Sequence, residues 1–372
     1  MPEVSIVLPS YNGKRYIRES IDSILGQTFT DWELIIVDDC SGDSTLEIAC
    51  EYEKKDSRIQ VLRSEKNMGL PGALNAGFEQ ARGKYLTWTS DDNRYLPEAL
   101  EVMVECLEAG RGVMVCAAVE AIDEKGKPKW EAPLRYGEEE LYRRNSIGSC
   151  FLYSRQVWEY VGKYDTELYG AEDYDYWLRI KKKFGKIDKI LRVLYQYRYH
   201  ENSLTATQKE KIQKALIRLR KKHLDDIIGS FNGSGEALAA FYYELMENRA
   251  LDRELKERIQ DMMPELKQDT VAESGEYIIF GAGAYGRKAL EKLGDSAVCF
   301  ADNSLDKVGK EINGKKILSF REMALISGEY SIMAAAQRGS IYQMILQLHQ
   351  QGIKRYCTWQ NYVWEKQQAA GK

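Results

Sequence analysis

The sequence has few of the residues that build zinc sites, disulfide frameworks or membrane spans. It has 3 histidines, and its 7 cysteines are scattered without a Cys-x-x-Cys pair, which argues against a zinc site and against a disulfide-stabilised domain. No apolar run approaches the ~18 residues of a membrane-spanning helix, and the N-terminus is unlike a signal peptide. We therefore expect a cytoplasmic protein with free thiols, for which peripheral association with a membrane stays open.

An excess of charge of one sign is also absent. Lysine and arginine number 53 and aspartate and glutamate 57, which gives a formal net charge of −4. Two short basic patches, residues 181–183 and 218–222, are typical of solvated helix faces, so no nucleic acid partner is expected. What the chain does have is 44% hydrophobic residues over a length of 372, enough for two or three folded domains.

Short apolar segments alternate with amphipathic helical segments in the first hundred residues. Strands are predicted at residues 4–8, 34–37, 59–62 and 84–88, with helices at 14–26 and 69–81. This alternation predicts an α/β fold in which a mostly parallel sheet is flanked by helices. We assign residues 1–204 to this domain, 205–272 to a helical linker of two long helices, and 273–365 to a smaller α/β domain that begins near Ser274.

Polar side chains follow three of these strands, at the edge where open parallel sheets bind their ligands. The groups are residues 10–12 (Ser-Tyr-Asn), 38–39 (Asp-Asp) and 90–93 (Ser-Asp-Asp-Asn). Mg²⁺ and Mn²⁺ prefer hard oxygen ligands, often one or two carboxylates together with phosphate oxygens of a substrate. The edge therefore predicts a divalent-metal site for a phosphate-bearing ligand, with a capped turn as the structural alternative for residues 91–93.

Four motifs, in this order, resemble family 2 glycosyltransferases, which have the GT-A fold. They are VSIVLPSYN at residues 4–12, VDDCS at 37–41, NAG at 75–77 with GKY at 83–85, and TSDDN at 89–93. The resemblance covers residues 1–205, and residues 85–97 are most similar to members that act in spore-coat polysaccharide synthesis. It implies transfer of a sugar from a UDP- or dTDP-sugar to a hydroxyl acceptor in polysaccharide or glycan synthesis, with inversion and with Mn²⁺ or Mg²⁺ as cofactor.

The resemblance also implies which residues hold the nucleotide-sugar donor. Tyr11 would pack on the base, Asp39 would accept a hydrogen bond from a base N–H, and Asp91 would contact the ribose. Asp92 would ligate the metal that bridges the diphosphate. The remaining positions that match donor-binding residues are Pro9, Asn12 and Asn75.

Two positions near the C-terminal end of the matching region bear on the same site. His200 is the candidate for a further metal ligand or a phosphate contact, and Arg198 is the alternative phosphate contact. Thr89 departs from the family pattern, because many members carry a carboxylate at that position. Part of the donor-side polarity of the family is therefore not expected here.

A second acidic motif, Glu172-Asp173, resembles the Glu-Asp motif of the family, whose aspartate is the base toward the acceptor in inverting members. We predict Asp173 as the catalytic base, with Glu172 raising its pKa or positioning it. The alternative is that both acids stabilise the first turn of a helix through its dipole.

A glycine-rich loop, Gly281-x-Gly283-x-x-Gly286, lies between a predicted strand and a helix, and Asp302 ends the next predicted strand. This context fits a dinucleotide-binding loop, in which the glycines allow close approach and the acid binds the ribose. We predict a Rossmann-like domain that binds a nucleotide or an NAD-like ligand, with a purely structural role as the alternative.

Other functions stay open from these residues. An NAD(P)-dependent sugar-nucleotide oxidoreductase would use the glycine-rich loop, but it leaves the acidic strand ends of the first domain unexplained. A non-catalytic sugar-nucleotide-binding protein would use the donor residues without turnover. A nucleotidyltransferase would need a glycine-rich phosphate loop after the first strand, where this chain has the single Gly13.

Overall fold

The computed structural model describes residues 1–110, 112–132, 138–272 and 275–370. The chain forms two compact units, Met1–Asp226 and Ile227–Lys372. The domain start predicted near Ser274 lies outside the described residues.

The first unit is built on one large sheet, which has nine strands within the described residues. The strand order is β3-β2-β1-β4-β8-β6-β9-β5, and β7 pairs with β6. The strands are β1 Val4–Ser10, β2 Trp32–Asp38, β3 Ile59–Arg63, β4 Tyr85–Trp88, β5 Arg94–Tyr95, β6 Met114–Ile122, β7 Pro128–Ala132, β8 Phe151–Ser154 and β9 Asp188–Arg198.

The first four strands pair in parallel, as predicted, and the sheet is mixed beyond them. β1 and β2 are buried along their whole length, because helices cover both faces of the sheet and leave no position for an outward polar residue. β8 runs antiparallel to both β4 and β6, and β6 then pairs in parallel with β9. The α/β class is confirmed, while the parallel arrangement holds for one half of the sheet.

Helices cover both faces of this sheet and bury two apolar layers against it. Gly77 lets one of them lie close to β1, since a Cβ at this position would be 2.4 Å from a methyl group of Val7. The helices are α1 Ile17–Leu25, α2 Thr45–Glu53, α3 Gly69–Gln80, α4 Ala99–Glu108, α5 Arg155–Val161, α6 Glu172–Phe184, α7 Leu204–Thr207, α8 Lys209–Lys222 and α9 Leu224–Gly229, with a 3₁₀ turn at Glu138–Tyr142.

The second unit combines helices with a sheet that has six strands within the described residues, in the order β12-β13-β11-β10-β14-β15. All neighbouring strands of this sheet are parallel except β12 and β13. Its elements are α10 Gly235–Glu247, α11 Arg253–Met262, β10 Tyr277–Phe280, α12 Ala284–Leu293, β11 Ala297–Asp302, β12 Glu311–Ile312, β13 Lys315–Ser319, α13 Phe320–Ile326, β14 Ser331–Ala334, α14 Arg338–Gln350, β15 Tyr356–Thr358 and α15 Trp359–Ala370, with 3₁₀ turns at Pro264–Gln268 and Gly294–Ser296.

The prediction of two long helices between residues 205 and 272 is wrong, because α7 to α11 are five shorter ones. Side chains that cap helix N-termini divide the region. Ser203, Ser234 and Asp252 each accept a hydrogen bond from the backbone N–H three residues later. The unit boundary also falls inside this region, at residues 226 and 227, so the two ends of the predicted linker belong to different units.

Two expectations concern the chain as a whole. All seven cysteines are free thiols, as predicted. In the part of the chain that the structure describes, no helix has both the length and the apolar character that crossing a membrane requires.

Candidate donor and metal site

A cleft of about 570 Å³ opens at the carboxyl ends of β1, β2 and β4. The parallel register brings these ends together, since Ser10 pairs with Asp38 and Val7 with Trp88. Most of the predicted donor and metal residues line this cleft, namely Pro9, Tyr11, Asn12, Asp39, Asp91, Asp92 and His200. The strand ends therefore form one site, which is what their pattern predicts.

Asp91 lines the cleft and is held by the last residue of β1. The Ser10 hydroxyl donates a hydrogen bond to its Oδ2. The same oxygen would be 1.9 Å from a Cβ at position 13, so any larger residue there would displace the Asp91 carboxylate. Burial and the neighbouring charge of Asp92 raise the pKa of Asp91 to about 7.

The side chains of Asp92 and His200 are at hydrogen-bond distance in the cleft, with 2.9 Å between Asp92 Oδ2 and His200 Nε2. The other ring nitrogen, Nδ1, is buried without a hydrogen-bond partner, and the ring packs on Tyr16 with 5.2 Å between centroids. The imidazole is therefore fixed in place with Nε2 directed at the carboxylate.

Arg198 holds the backbone of Asp92 in place and is not available to a phosphate group. Its side chain is buried, and its guanidinium donates to the Asp92 carbonyl at 2.8 Å and to Glu19 at 2.7 Å. Its remaining N–H groups reach the carbonyls of Asp123 and Glu124. The alternative assignment of Arg198 as a phosphate contact is thus wrong, because its hydrogen bonds hold the turn that carries Asp92.

The residues present fit a divalent ion that has few protein ligands. Within the described residues, no group of three or more His, Cys, Asp or Glu side chains is arranged to hold a metal ion. Asp92 and His200 nevertheless bring one carboxylate oxygen and one imidazole nitrogen to the same point. Mg²⁺ and Mn²⁺ sites of phosphate-transferring proteins commonly have one or two such ligands and are completed by the substrate and water.

Asp39, Tyr11 and Asn12, the residues predicted to bind the nucleotide, also line the cleft. Both carboxylate oxygens of Asp39 accept backbone N–H bonds of 2.8 Å, from Met68 and Gly69, while burial raises the pKa of Asp39. Tyr11 lies at the rim with 55% of its surface exposed. Asn12 takes a left-handed conformation, with φ of 57°, and its Oδ1 accepts from the backbone N–H of Gly42 at 2.8 Å.

Asn75 and Thr89 do not contribute to the cleft. Asn75 is buried, and its amide exchanges two hydrogen bonds with the backbone of Tyr164, at 2.8 and 2.9 Å. This pairing occupies the amide and attaches α3 to a distant loop, so Asn75 is excluded from the donor site that we predict. Thr89 is also buried, with its hydroxyl 2.6 Å from that of Tyr195.

Glu172 and Asp173 begin α6, outside the lining of the donor cleft. Asp173 accepts from Asn145 Nδ2 at 2.9 Å, and burial raises its pKa in spite of this bond. Glu172 is buried and accepts from the Gly170 N–H, and burial together with the charge of Asp173 raises the pKa of Glu172 to about 8. The cause of the raised pKa of Asp173 thus differs from the predicted one, because burial raises this pKa and the charge of Glu172 does not.

Tyr197 of β9 is half-buried, and burial raises the pKa of its hydroxyl. The negative charges of Asp92 and Asp173 raise this pKa further. No sequence motif marks Tyr197, nor Asn145, which contacts Asp173, nor Tyr169, which lines the cleft. Only their positions in the fold identify these residues.

The glycine-rich loop of the second unit has a structural explanation. Gly281 has a φ of 111°, and a Cβ at Gly286 would be 1.9 Å from the Gly281 carbonyl oxygen. Asp302 accepts from the Ala282 N–H at 2.7 Å and is 3.1 Å from the ammonium group of Lys307. Asp302 also accepts from the Ser304 N–H at 2.8 Å, and together these contacts outweigh burial and lower the pKa of Asp302.

The geometry of this loop gives little support to the prediction that it binds a ligand. Gly283 has open space where a Cβ would lie, so close approach does not require glycine there. A cavity of about 430 Å³ lies over the loop, but the acid expected to bind a ribose already braces the loop itself. The structure gives no support to an NAD-like ligand.

Comparison with known proteins places the first unit among sugar-transferring enzymes. The sequence profile described as Glycosyl transferase family 2 matches residues 5–161. An uncharacterized glycosyltransferase of Rickettsia prowazekii (strain Madrid E) is 32% identical over 261 residues, which are 64% of this chain and 80% of that protein. Its name gives neither donor nor acceptor.

Two solved structures share the fold. TarS of S. aureus, residues 1–349 with UDP-GlcNAc, has a TM-score of 0.53 and 18% identity, over 72% of this chain and 85% of that chain. A mannosyltransferase from Pyrobaculum calidifontis, with GDP-Man and Mn²⁺, has a TM-score of 0.54 and 17% identity, over 79% of each chain. These likenesses confirm the predicted GT-A type of fold.

Proposed function

Because the chain belongs to glycosyl transferase family 2, we propose that it moves a sugar from a nucleotide diphosphate to a saccharide hydroxyl, with inversion and with a divalent metal. The observation that carries this proposal is the convergence of Asp91, Asp92 and His200 in one cleft at the strand ends. The alternative of an oxidoreductase is not favoured, because Asp302 is occupied within its own loop.

The donor diphosphate is proposed to lie over Asp92 and His200. A divalent ion held by these two side chains would neutralise the negative charge that develops on the leaving diphosphate. The bound Mn²⁺ and GDP-Man of the Pyrobaculum enzyme support an ion in this role. In this proposal Asp91 contacts the ribose, and Tyr11, which is exposed at the rim of the cleft, packs on the base.

The acceptor side of the reaction is assigned to Asp173. Its carboxylate takes the proton of the acceptor hydroxyl while the acceptor oxygen bonds to the anomeric carbon and the bond from that carbon to the diphosphate oxygen breaks. A single displacement of this kind inverts the configuration. Burial favours the role, since a carboxylate with a raised pKa is a stronger base near neutral pH.

The donor base is proposed to be uracil or thymine, and guanine is the competing outcome. TarS was solved with a UDP-sugar and the Pyrobaculum enzyme with a GDP-sugar. Each oxygen of Asp39 accepts one backbone N–H, which leaves acceptor capacity for a base N–H. The imide N–H of uracil or thymine and the N1–H of guanine can both meet this group, so a donor panel decides.

The test is release of nucleoside diphosphate from UDP-, dTDP- and GDP-sugars, with Mn²⁺, with Mg²⁺ and with EDTA. We expect turnover of one donor class that requires the metal, and a loss of at least about a hundredfold in Asp92→Ala. Asp31→Ala, which removes an exposed carboxylate at the other end of β2, is the matched control and keeps full activity. Turnover by Asp92→Ala at the rate of this control would refute the assignment.

A further inference from the structure

Three aromatic rings form a continuous surface beside the proposed reaction centre. Ring centroids are 5.6 Å apart for Trp130 and Tyr199 and 5.1 Å apart for Tyr199 and Tyr197. Trp130 is 50% exposed and Tyr199 is 45% exposed, whereas Tyr197 is half-buried. We call these three residues the aromatic platform.

Strand pairing explains why these rings meet. In the register of the sheet, Ala121 of β6 pairs with Trp130 on one side and with Tyr197 on the other. The three residues therefore share one face of the sheet, and the small Ala121 side chain leaves room between the rings. Tyr199 follows the last residue of β9, and its ring contacts those of both Tyr197 and Trp130.

The aromatic platform extends outward from the proposed metal site. Its middle member, Tyr199, directly precedes His200, and both residues line the same open cavity. Because His200 Nε2 is 2.9 Å from Asp92 Oδ2, a saccharide chain lying along the platform would have one end beside the proposed metal site. Flat aromatic surfaces of this kind pack against the C–H faces of sugar rings and bury apolar area at low entropic cost.

Three lysines border the outer end of the aromatic platform. Lys125, Lys127 and Lys129 line an open cavity of about 620 Å³ together with Tyr199 and His200. Among the described residues, none of these three ammonium groups takes part in a salt bridge. The cavity therefore presents three positive charges that can meet a ligand.

Carboxylates also face this cavity, but most of them are engaged. Asp123 accepts hydrogen bonds from the backbone N–H groups of Lys125 and Lys127, and Glu124 pairs with Arg15 at 2.7 Å. Glu201 is the third acid at the cavity. The backbone hydrogen bonds leave the negative charge of Asp123 in place, and this charge interacts with the ammonium groups of Lys127 and Lys125. Counted together with Arg15, four cationic groups thus face three carboxylates at the cavity, and this small positive excess favours an anion.

We propose that the aromatic platform and these three lysines form the acceptor subsite, and that the acceptor is an anionic saccharide chain carrying uronate or phosphodiester groups. This inference rests on the proposed glycosyl transfer and adds the class of acceptor to it. Sugar rings pack on the aromatic platform, and the anionic groups of the same chain meet Lys125, Lys127 and Lys129.

The first test is acceptor binding, measured by isothermal titration calorimetry at low salt with the full chain and UDP. The probes are tetragalacturonate, an oligomer of glycerol phosphate and the neutral cellotetraose. We expect at least one anionic probe to bind ten times more tightly than cellotetraose, and its identity distinguishes uronate from phosphodiester. Equal affinity for all three probes would overturn the proposal.

Variants then locate the site. The triple variant K125Q/K127Q/K129Q is expected to bind the preferred anionic probe at least tenfold more weakly, whereas K292Q/K310Q/K316Q, which removes the same charge from exposed lysines of the second unit, binds it normally. Trp130→Ala should weaken binding of a saccharide probe, and Tyr160→Ala, an exposed aromatic elsewhere, should not. Equal losses in the test and control variants would overturn the proposal.

Failure here is distinguishable from failure of the proposed function. Slow hydrolysis of the donor releases the nucleoside diphosphate without any acceptor, and we expect this hydrolysis to depend on Asp92. We expect the triple lysine variant to keep this hydrolysis and its donor KM. A donor KM that rises tenfold in the triple variant would mean that the lysines bind the diphosphate instead, and would also overturn the proposal.

Discussion

Asp175 is the residue whose removal should most clearly destabilise the first unit. It lies on α6 two residues after Asp173, with no solvent exposure, and it accepts hydrogen bonds from His223 at 2.8 Å and from Arg179 at 2.8 Å. The ammonium group of Lys222 is 2.9 Å away. These contacts attach α6, which carries the proposed base, to the C-terminal end of α8.

Replacing Asp175 with asparagine keeps the shape and removes the charge. Loss of one partner from a buried ionic network costs about 3–5 kcal/mol. We expect the lower end of that range, about 3 kcal/mol, since Lys222 and Arg179 are partly exposed and can be rehydrated. For a unit of this size, such a loss lowers the melting temperature by roughly 6–12 °C.

The effect has a defined pH dependence. Burial works to raise the pKa of Asp175, but the hydrogen bond from His223 and the charges of Arg179 and Lys222 outweigh it and hold the pKa well below its usual range. A carboxylate whose pKa is lower in the folded state stabilises the protein above the unfolded value, about 3.9, and loses this contribution as the pH falls below it. The difference between wild type and Asp175→Asn should therefore be constant from about pH 7 to 5 and shrink below about pH 4.

Thermal unfolding followed by circular dichroism, at several pH values, measures this difference. Asp165→Asn is the matched control, because Asp165 contacts the same Lys222 at 2.7 Å from a partly exposed position. Its loss should cost less than about 1 kcal/mol. If Asp175→Asn melts within 1 °C of the control, using ~1 °C as the resolution of the method, the buried network does not stabilise the unit as argued.

Two further predictions concern the proposed site. Gly13→Ala forces Asp91 out of place, so its donor KM should rise by about tenfold, or about 1.4 kcal/mol, in steady-state assays, whereas Gly328→Ala, with open space around it, should leave that KM unchanged. Asn145→Ala removes a hydrogen bond that lowers the pKa of Asp173, so the acid limb of the kcat/KM profile should move to higher pH by about one pH unit. An unmoved acid limb would separate Asp173 from the proton transfer.

The parallel half of the first sheet could be predicted because its strands are short, apolar and separated by helical segments. β8 and β9 could also be recognised as strands, but no local signal states that β8 would lie antiparallel between β4 and β6. Pairing between strands so distant in sequence is decided by the tertiary structure and not by the local segment. The periodicity of hydrophobic residues along the chain does not specify which strands pair.

The site was predictable to the extent that its residues follow strands. Asp91, Asp92 and Asp39 meet because parallel strands end at one edge, and the family motifs mark the same positions. Asn75 shows the limit, because a motif position can serve packing instead of ligand contact. Asn145 approaches Asp173 only through tertiary structure, and no pattern in its own segment indicates that contact.

The close approach of Gly13 and Asp91 has a consequence for how this sequence can change. The two positions belong to separate motifs, yet the Asp91 carboxylate fills the space that any side chain at position 13 would need. The Ser10 hydroxyl would also be 2.6 Å from a Cβ at this position, so a larger residue at 13 requires both the Asp91 and the Ser10 side chains to shift or to be shorter. In related sequences positions 10, 13 and 91 should therefore covary, and replacing Asp91 alone does not free position 13 for substitution.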